Sequence, residues 1–221
     1  TAFFEAFQDH LILSSAALCL ARVGLDQQRV LKYLQHICAF RFTEVTLQLS
    51  VQNVRRELTL SPKLLGKSHI RELAEQDIPH VQRIAATVFH HGRFAEDPLI
   101  PQKVHQIRQR NWIADMTNGP EAILVNEAND EVISFMAYKN VSDTHIDLLL
   151  GGSAENQGLA GVLFWQDLMD RFAKSGVTRI DTTVSAANLS VMRLYESLGF
   201  KVAQSWAGLH WHRGNEANSS D

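Results

Sequence analysis

The sequence predicts an α/β protein of the layered α+β kind, with helices flanking a mixed central sheet. Its composition of 45% hydrophobic and 20% charged residues over 221 positions is close to the globular average, which argues against a disordered or fibrous class. Short strand-like apolar runs and longer segments with helical apolar spacing also follow one another along the chain, as in a layered fold built around a sheet.

Charge and cysteine content limit the classes of partner and compartment. A net charge of −3 does not favour nucleic-acid binding. Cys19 and Cys38 lie among apolar neighbours without CxxC spacing, which predicts free thiols in a reducing, cytoplasmic compartment. The apolar run Leu11–Ala21 follows Glu5 and Asp9 and is shorter than the roughly 20 residues of a membrane span, so no membrane insertion is expected.

Residues 1–66 are expected to form a small N-terminal α/β subdomain. The segment HLILSS reads as a strand, LDQQRVLKYLQHICAF as a helix capped by Asp26, and TEVTLQLSV as a half-buried strand. Pro62 and Gly66 mark the best boundary, within Asn53–Gly66. Residues 67–213 would then form the main domain, and residues 214–221 a disordered tail.

The first half of the main domain predicts one short strand and two helices. HIRELAEQDIPHVQRIAATVF contains the strand, Asp77 as a helix cap and Pro79 in the first turn. Pro101 opens the second helix, PQKVHQIRQRNWIADM. Its inward face is expected to carry Val104, Ile107, Arg108 and Trp112.

The second half predicts a hairpin followed by alternating strands and helices. EAILVNEA and EVISFMAYKN flank the turn AND, and THIDLLLGG follows as a third strand. A helix in NQGLAGVLFWQDL, the strand VTRIDTTV and a short helix in NLSVMRLYESLGF come next, with Asn188 as N-cap and Gly199 at the helix end. Two strands complete the order, the last being SWAGLHWHR.

The turn after LLLGG favours an anion site. The helix that begins near Gly158 has unpaired first-turn amides at its positive dipole end, which suit a phosphate. Neither GxGxxG nor GxxxxGK[ST] occurs, so dinucleotide and P-loop sites are not indicated. The glycines alone are equally consistent with a plain strand-turn-helix, and Tyr195 alone with a core tyrosine.

Two motifs together resemble the coenzyme A signature of the GNAT superfamily of acyl-CoA-dependent N-acetyltransferases, over residues 68–213. One is the loop QGLAGV, in which Ala160 and Val162 stand at the two glycine positions of the family pattern. The other is the helix that carries Asn188 and Tyr195 and ends in Gly199 and Phe200. The resemblance implies acetyl-CoA as co-substrate and a GNAT-like sheet.

The resemblance also implies residue roles. Pantetheine would add to the THIDLLLGG strand where it splays from VTRIDTTV, and backbone amides of the loop would hold the pyrophosphate. Tyr195 would protonate the leaving thiolate, or alternatively only position the thioester. The residues implied in acetyl-CoA binding are Leu148, Leu149, Leu150, Gln157, Gly158, Leu159, Ala160, Gly161, Val162, Asn188 and Tyr195.

Direct attack on a thioester needs a neutral amine, so a base or a water chain leading to one is implied. His145 and Asp147 are candidates because they lie two apart on one strand face, and Glu131 is more distant. Histidines and aspartates at strand ends are more often solvated surface groups, so the base stays open.

The segment HHGRFAEDPLIP and the following helix ending in RNWI are similar to the amino-sugar, TDP-fucosamine type branch of the superfamily. The acceptor residues that this implies are His91, Arg93, Phe94, Asp97 and Trp112. An arginine beside an aromatic ring suits a sugar nucleotide, although Arg93 and Asp97 could instead form a local ion pair. His90 and His91 lack a third ligand in the sequence, so no metal is expected.

The favoured hypothesis is acetyl transfer to the amine of a nucleotide-linked 4-amino-6-deoxy sugar. Peptide or lysine amines and other small amines are the alternatives within the enzyme class. A catalytically silent acyl-CoA-binding module is the alternative outside it, although such a module would not need a hydroxyl at Tyr195. An apolar edge or helix face could support a homodimer.

Overall fold

A computed structural model describes residues 6–7, 10, 13–54, 69–155 and 157–214. The strands are β1 (Leu18–Gly24), β2 (Arg41–Gln52), β3 (His69–Glu72), β4 (Ala122–Ala128), β5 (Glu131–Ser142), β6 (His145–Ser153), β7 (Arg179–Ser185) and β8 (Lys201–His212). The helices of eight or more residues are α1 (Gln28–His36), α2 (Ile78–Val88), α3 (Gln102–Thr117), α4 (Gly158–Lys174) and α5 (Leu189–Ser197).

The described strands form an eight-stranded sheet in the order β1-β8-β2-β7-β6-β5-β4-β3. Strands β6 and β7 are parallel, and every other neighbouring pair is antiparallel. Asn129 and Asp130 turn the β4–β5 hairpin with φ values of 52° and 63°, the left-handed conformation that a tight two-residue hairpin turn requires. The predicted mixed sheet flanked by helices is confirmed.

The N-terminal segment contributes to this same sheet. Strand β2 lies between β7 and β8 and pairs with both, and β1 pairs with the outer edge of β8. Residues on the two sides of the predicted boundary at Asn53–Gly66 therefore share one sheet. The division at residue 66 itself lies outside the described residues, as do residues 215–221 of the predicted tail.

Helices cover both faces of the sheet. Helices α4 and α5 pack on one face, where Phe164, Leu168 and Tyr195 belong to the cluster that contains Leu124 and Ile146. Helices α2 and α3 pack on the opposite face, against alternate residues of the same strands. A third cluster joins α1 to β1 and β8.

The first strand lies later in the chain than predicted. Within HLILSS, the described residues His10 and Leu13 are helical, and β1 runs from Leu18 to Gly24. Seven residue pairs with β8, from Leu18 with His212 to Gly24 with Trp206, fix it there. The apolar run before β1 misled the prediction because strand and short helix are difficult to distinguish by hydrophobicity alone.

Asp77 occupies the N-cap position of α2, as predicted, but its side chain makes no capping hydrogen bond to the helix. Its carboxylate accepts a hydrogen bond from the Ala74 amide at 2.8 Å and pairs with both terminal nitrogens of Arg71. Arg71 also pairs with Glu127, so these groups tie edge strand β3 to β4 and to the entry of α2. The hydrogen bond with Arg71 is the main reason that the pKa of Asp77 is lowered.

The inward face of α3 also differs from the prediction. Val104 and Ile107 are 50% and 46% exposed, whereas His105 and Gln109 are buried. Ile113 and Met116 continue the buried face. The prediction placed the apolar residues of α3 on its buried face, whereas the structure buries polar residues over the first two turns.

Two smaller predictions were wrong. Gln27 occupies the N-cap position of α1, where Asp26 was expected. The C-terminal segment forms the single strand β8 rather than two strands, because β8 pairs along its length with β1 and β2.

Candidate active site

Strands β6 and β7 part near their C-terminal ends. They pair over four residue pairs, from His145 with Arg179 to Leu148 with Thr182. Both strands continue beyond this point, to Ser153 and Ser185, without further pairing to each other among the described residues. The predicted splay of β6 from β7 is therefore present, and it leaves backbone hydrogen-bonding groups at a gap in the sheet.

A β-bulge lies in β6 at this gap. Ala137 of β5 pairs with Leu150 and Tyr138 pairs with Leu148, so Leu149 is the extra residue. The bulge changes which face the following side chains meet: Leu148 packs with the α4–α5 cluster, and Leu150 with the α2–α3 cluster. The strand thus contributes to both layers at the point where the sheet opens.

A cavity of about 410 Å³ lies at the gap. It brings together residues that are far apart in the sequence, from β1, β2, β6, β7, α3, α5 and the loop between α2 and α3. The predicted site residues that line it are Leu148, Leu149, Leu150, Asn188, Tyr195, His91, Arg93, Phe94 and Trp112. Both the predicted donor residues and the predicted acceptor residues therefore contribute to this cavity.

Tyr195 is placed by α5 and is buried, with 4% of its surface exposed. The Trp165 indole N–H donates to its hydroxyl oxygen at 3.3 Å, and the Phe200 ring packs edge-on at 4.8 Å between centroids. Burial raises the pKa of Tyr195. The hydroxyl therefore keeps its proton at neutral pH; the Trp165 indole occupies one of its acceptor positions, and the hydroxyl also interacts with the Thr182 side chain.

The predicted capping of α5 is confirmed. The Asn188 side-chain oxygen accepts from the Val191 amide at 3.3 Å and from the Ser190 hydroxyl at 3.0 Å. Gly199 has a φ of +85°, the left-handed conformation that glycine adopts readily after a helix. These two ends fix the register of α5 and thereby the position of Tyr195.

Helix α4 begins beside the end of β6. A Cβ atom on Gly161 would lie 2.9 Å from the Ser153 hydroxyl, so the first turn approaches the strand closely. The Gly161 amide donates to the Gln157 carbonyl at 2.7 Å and the Gln157 amide to Ala154 at 3.3 Å. Helix α4 begins at Gly158, within the predicted loop 157–162. The first-turn amides of a helix have no partners within it, so the free amides of this loop start at Gly158.

Glu44 lines the cavity from β2 and was not predicted. Its exposed fraction is 5%, and burial raises the pKa of its carboxyl group. A bulge at Thr43 shifts the register between β2 and β8, so that Glu44 pairs with Gly208. The Glu44 side chain packs closely on this glycine, because a Cβ atom on Gly208 would lie 2.9 Å from the Glu44 Cγ. Glu44 and Thr46 face inward while Val45 and Leu47 are only partly buried, the reverse of the usual apolar-in alternation.

Three arginines line the cavity: Arg22, Arg93 and Arg108. Arg108 stacks on Phe94 at 4.2 Å and on Trp112 at 5.2 Å. Burial is the main reason that the pKa values of Arg93 and Arg108 are lowered, but guanidinium groups remain charged at neutral pH. None of the three is in a salt bridge among the described residues, but the Glu44 carboxylate interacts electrostatically with both Arg22 and Arg93.

Asp97 lies behind the cavity wall. One of its oxygens accepts from His210 Nδ1 at 2.6 Å and from His212 Nε2 at 2.7 Å, and the other accepts from the Leu99 amide at 2.9 Å. Burial alone would raise the pKa of Asp97, but these hydrogen bonds outweigh it and lower the pKa. Asp97 therefore anchors the loop that carries Arg93 and Phe94 to β8.

His145 and Asp147 lie at the start of β6, where the strand is still paired with β7. His145 Nε2 is 3.0 Å from Asp181 and 3.7 Å from Asp147, which is itself 3.4 Å from Lys139. The described lining of the cavity contains neither residue. Their role as base stays a prediction that the cavity geometry does not support.

Two three-residue clusters could supply metal ligands, Asp97 with His210 and His212, and His145 with Asp147 and Asp181. Their possible ligand atoms lie within 4.8 Å of one another. Direct hydrogen bonds from imidazole to carboxylate account for the closest approaches in both clusters. Neither cluster lies in the described lining of the cavity.

The mixed sheet, flanked by helices and parted between β6 and β7, has its cavity at the gap. Residues 86–200 match the model of the Acetyltransferase (GNAT) family, which is more than half of the chain. The chain therefore belongs to the GNAT acetyltransferase family, whose enzymes transfer an acetyl group to an amine.

No helix within the described ranges is long and apolar enough to cross a membrane.

Individual relatives are distant. The chain is 26% identical over 146 residues to the spore coat polysaccharide biosynthesis protein SpsD of Bacillus subtilis strain 168, covering 64% of this chain and 50% of SpsD. It thus spans about half the length of that curated relative.

Solved structures share the fold at low identity. A conserved protein of unknown function from Staphylococcus epidermidis ATCC 12228 superposes with a TM-score of 0.68 at 9% identity, over 96% of this chain and 79% of that one. A GCN5-related N-acetyltransferase from Sphaerobacter thermophilus gives 0.58 at 14% identity, over 94% and 64%. These similarities concern the fold alone.

GNAT enzymes use acetyl-CoA, and the described residues fit this co-substrate. The parted strands offer backbone groups to an extended amide-containing chain, and the first turn of α4 offers amides to phosphate. Tyr195 lines the cavity at the same gap.

Proposed function

We propose that this enzyme acetylates the amine of a nucleotide-linked 4-amino-6-deoxy sugar. The observation that carries the proposal is the group of three cavity arginines, which outnumber Glu44, the one carboxylate in the described lining. A diphosphate is the ligand whose charge and bidentate geometry match guanidinium groups most closely. The aromatic rings of Phe94 and Trp112 beside Arg108 add flat apolar surface for a sugar or base.

Acetyl-CoA supplies an acetyl group activated as a thioester. Leu148–Leu150 on β6, the first-turn amides of α4 and Asn188 are the groups proposed to hold it, as the family resemblance implies. Ala160 and Val162 replace the two glycines of the family pattern. This replacement is compatible with pyrophosphate binding because backbone amides, and not side chains, would bind the pyrophosphate.

Tyr195 is proposed as the general acid. Its hydroxyl is buried and protonated, and it lines the cavity. When the new C–N bond forms and the C–S bond breaks, Tyr195 would provide the proton that the thiolate takes up. Its alternative role is to donate a hydrogen bond to sulfur without transferring the proton.

Glu44 is the base that the cavity favours over His145 and Asp147. It is a buried carboxylate at the cavity, and its raised pKa makes it a stronger base than an exposed glutamate. Glu44 would accept the proton that the amine loses, directly or through water. Proton gain at Glu44 and proton loss at Tyr195 then balance within one turnover.

The name of SpsD, a polysaccharide biosynthesis protein, agrees with a sugar acceptor. A cytoplasmic location and a homodimer remain predictions from the sequence. Cys19 and Cys38 are free thiols.

A thiol-release assay with acetyl-CoA tests the proposal against a panel of TDP- and UDP-linked amino sugars, the corresponding free amino sugars, polyamines and lysine peptides. We expect the nucleotide-linked 4-amino sugars to give the highest kcat/KM. Turnover with peptides alone would contradict the sugar proposal, and the absence of turnover with every amine, together with tight acetyl-CoA binding, would favour a silent acyl-CoA-binding module.

A further inference from the structure

Trp165 of α4 is held in one orientation on the wall of the cavity. It is 6% exposed, and it lines the cavity together with Tyr195. The Phe164 ring packs edge-on against it at 5.3 Å between centroids. Strand β6 lies close to the indole at Gly151, where a Cβ atom would be 3.0 Å from Trp165 Cζ2. These contacts fix the direction of the indole N–H.

This N–H is directed at the hydroxyl group of Tyr195. The two side chains come from different helices, α4 and α5, and Trp165 Nε1 lies 3.3 Å from the Tyr195 hydroxyl oxygen. An indole N–H donates a hydrogen bond and cannot accept one. It therefore occupies a lone pair of the oxygen and leaves the phenol hydrogen to another partner.

Thr182 on β7 is a second neighbour of the Tyr195 hydroxyl. The Thr182 hydroxyl donates its own hydrogen to the Leu148 carbonyl oxygen at 3.2 Å. The indole of Trp165 also has one polar hydrogen, and Tyr195 receives it. In this arrangement Trp165 is the neighbour that commits its hydrogen to the Tyr195 oxygen.

The surroundings of Tyr195 make a negative charge on its oxygen unfavourable. Burial raises the pKa of Tyr195, whereas the hydrogen bonds with Trp165 and Thr182 act in the opposite direction. An acid that gives up its proton must nevertheless carry this charge. A hydrogen bond to a charged oxygen is roughly twice as strong as one to a neutral oxygen. The Trp165 bond therefore strengthens as the proton leaves, which is the kind of stabilisation that accelerates a reaction.

We infer that Trp165 is a positioning residue for Tyr195: its indole N–H orients the hydroxyl group and stabilises the phenolate that proton transfer leaves. In that step the O–H bond of Tyr195 breaks and the proton goes to the sulfur of the departing coenzyme A thiolate. The electron pair stays on the phenolate oxygen, which takes a proton back from solvent before the next turnover. The inference rests on the proposed function for the acid role of Tyr195, but the hydrogen bond can be tested without turnover.

The ionisation of Tyr195 is the direct test. The chain has three tyrosines, and a fluorinated tyrosine incorporated at all three positions has a more acidic phenol, which lowers the pH range of the titration. Fluorine NMR would follow this titration in the wild type and in Trp165→Phe, with Tyr195→Phe assigning the resonance. We expect Trp165→Phe to raise the midpoint of Tyr195 by about one pH unit, the loss of one charge-assisted hydrogen bond. An unchanged midpoint would overturn the inference.

A double-mutant cycle separates this inference from the proposed function. Trp165→Phe should lower kcat about 10-fold in the wild-type background and have little further effect in Tyr195→Phe, because Trp165 acts through Tyr195. Equal losses of kcat in the two backgrounds would overturn the inference. A raised Tyr195 midpoint without any change in kcat would uphold the stabilisation of the phenolate and remove the acid role from the proposed function.

Two further proteins separate the hydrogen bond from ring packing. Benzothienylalanine in place of Trp165 keeps the two-ring shape and replaces the N–H by sulfur, so it should reproduce both effects of Trp165→Phe. It decides the matter if Trp165→Phe does not fold, and a wild-type midpoint and kcat in this protein would overturn the inference. Trp211→Phe removes the same volume from the buried α1 cluster, outside the described lining of the cavity. It should lower Tm and leave the Tyr195 midpoint and kcat unchanged.

Discussion

The proposed donor half and the proposed acceptor half of the cavity are built in different ways. The donor half comes from the continuous segment β6–α4–β7–α5, which supplies the parted strand pair and Tyr195 to the cavity wall. The acceptor half is assembled from β1, β2, α3 and the loop before α3.

The side chains of the two halves are held in place by different kinds of contact. The donor half holds its groups by local means, such as the Asn188 cap and Gly199, which act within one helix. The acceptor half depends on long-range contacts, such as Asp97 with His210 and His212. Substitutions in the donor half should therefore change chemistry, and those in the acceptor half, apart from the proposed base Glu44, should change substrate affinity or loop anchoring.

Tyr195→Phe should have the largest effect. Loss of the proposed acid should lower kcat on the order of 10²-fold or more, with little change in acetyl-CoA affinity. Steady-state kinetics and calorimetry with acetyl-CoA measure the two quantities. Tyr138→Phe is a matched control, because Tyr138 packs edge-on against Phe172 at 5.0 Å. Unchanged turnover of Tyr195→Phe would remove the acid assignment.

Glu44→Gln should come next, lowering kcat/KM between about 10- and 100-fold, since water can partly replace a base. Burial raises the pKa of Glu44, so wild-type activity should rise with pH through a value above that of an ordinary glutamate. The variant should lose this acidic limb and keep its stability, because it removes a buried charge.

The same pH–activity profile tests the two other candidate bases, Asp147 and His145. Asp147→Asn and His145→Gln should leave the acidic limb in place if Glu44 is the base. Loss of the limb in either of these variants, with the limb retained in Glu44→Gln, would assign the base to the start of β6 instead.

The donor half could be predicted from the sequence because its signals are local. The spacing of Asn188, Tyr195 and Gly199 indicates a capped helix with one buried face, and the structure confirms the cap, the burial and the glycine conformation. The parting of β6 and β7 followed from the family resemblance.

The acceptor half could be predicted only in part. His91, Arg93, Phe94 and Trp112 do line the cavity, as the loop resemblance implied. Glu44 was missed because its strand was assigned to a separate subdomain, and strand pairing between distant segments leaves no local signal. The burial of His105 and Gln109 on α3 was missed because periodicity assigns apolar residues to the buried face of a helix.

Arg93→Gln tests the charge of the acceptor half. Loss of one cavity guanidinium should raise KM for a nucleotide-linked sugar about 10-fold, the effect of one charge-assisted hydrogen bond, and leave KM for acetyl-CoA unchanged. Arg110→Gln, on the exposed side of α3, is the control. An equal loss for the free amino sugar would show that Arg93 does not recognise the diphosphate.

Asp97→Asn should have the smallest effect on kcat, a few-fold, because Asp97 acts through the loop. Its main effect should be on stability, a loss of about 1–3 kcal/mol at neutral pH, because a carboxylate that accepts from two imidazoles is replaced by an amide that also donates.

The pH dependence of stability distinguishes the charge of Asp97 from ordinary packing as the cause of loop anchoring. Because the folded-state pKa of Asp97 is lowered, its contribution to stability is complete above the unfolded-state pKa, near 4, and is lost as pH falls through the folded value. Thermal unfolding from neutral to acidic pH should therefore show a wild-type Tm that falls towards that of Asp97→Asn. Asp143→Asn, in the exposed β5–β6 turn, should follow the wild type. A constant Tm difference between wild type and Asp97→Asn across the whole range would mean that packing, and not the charge of Asp97, holds the loop to β8.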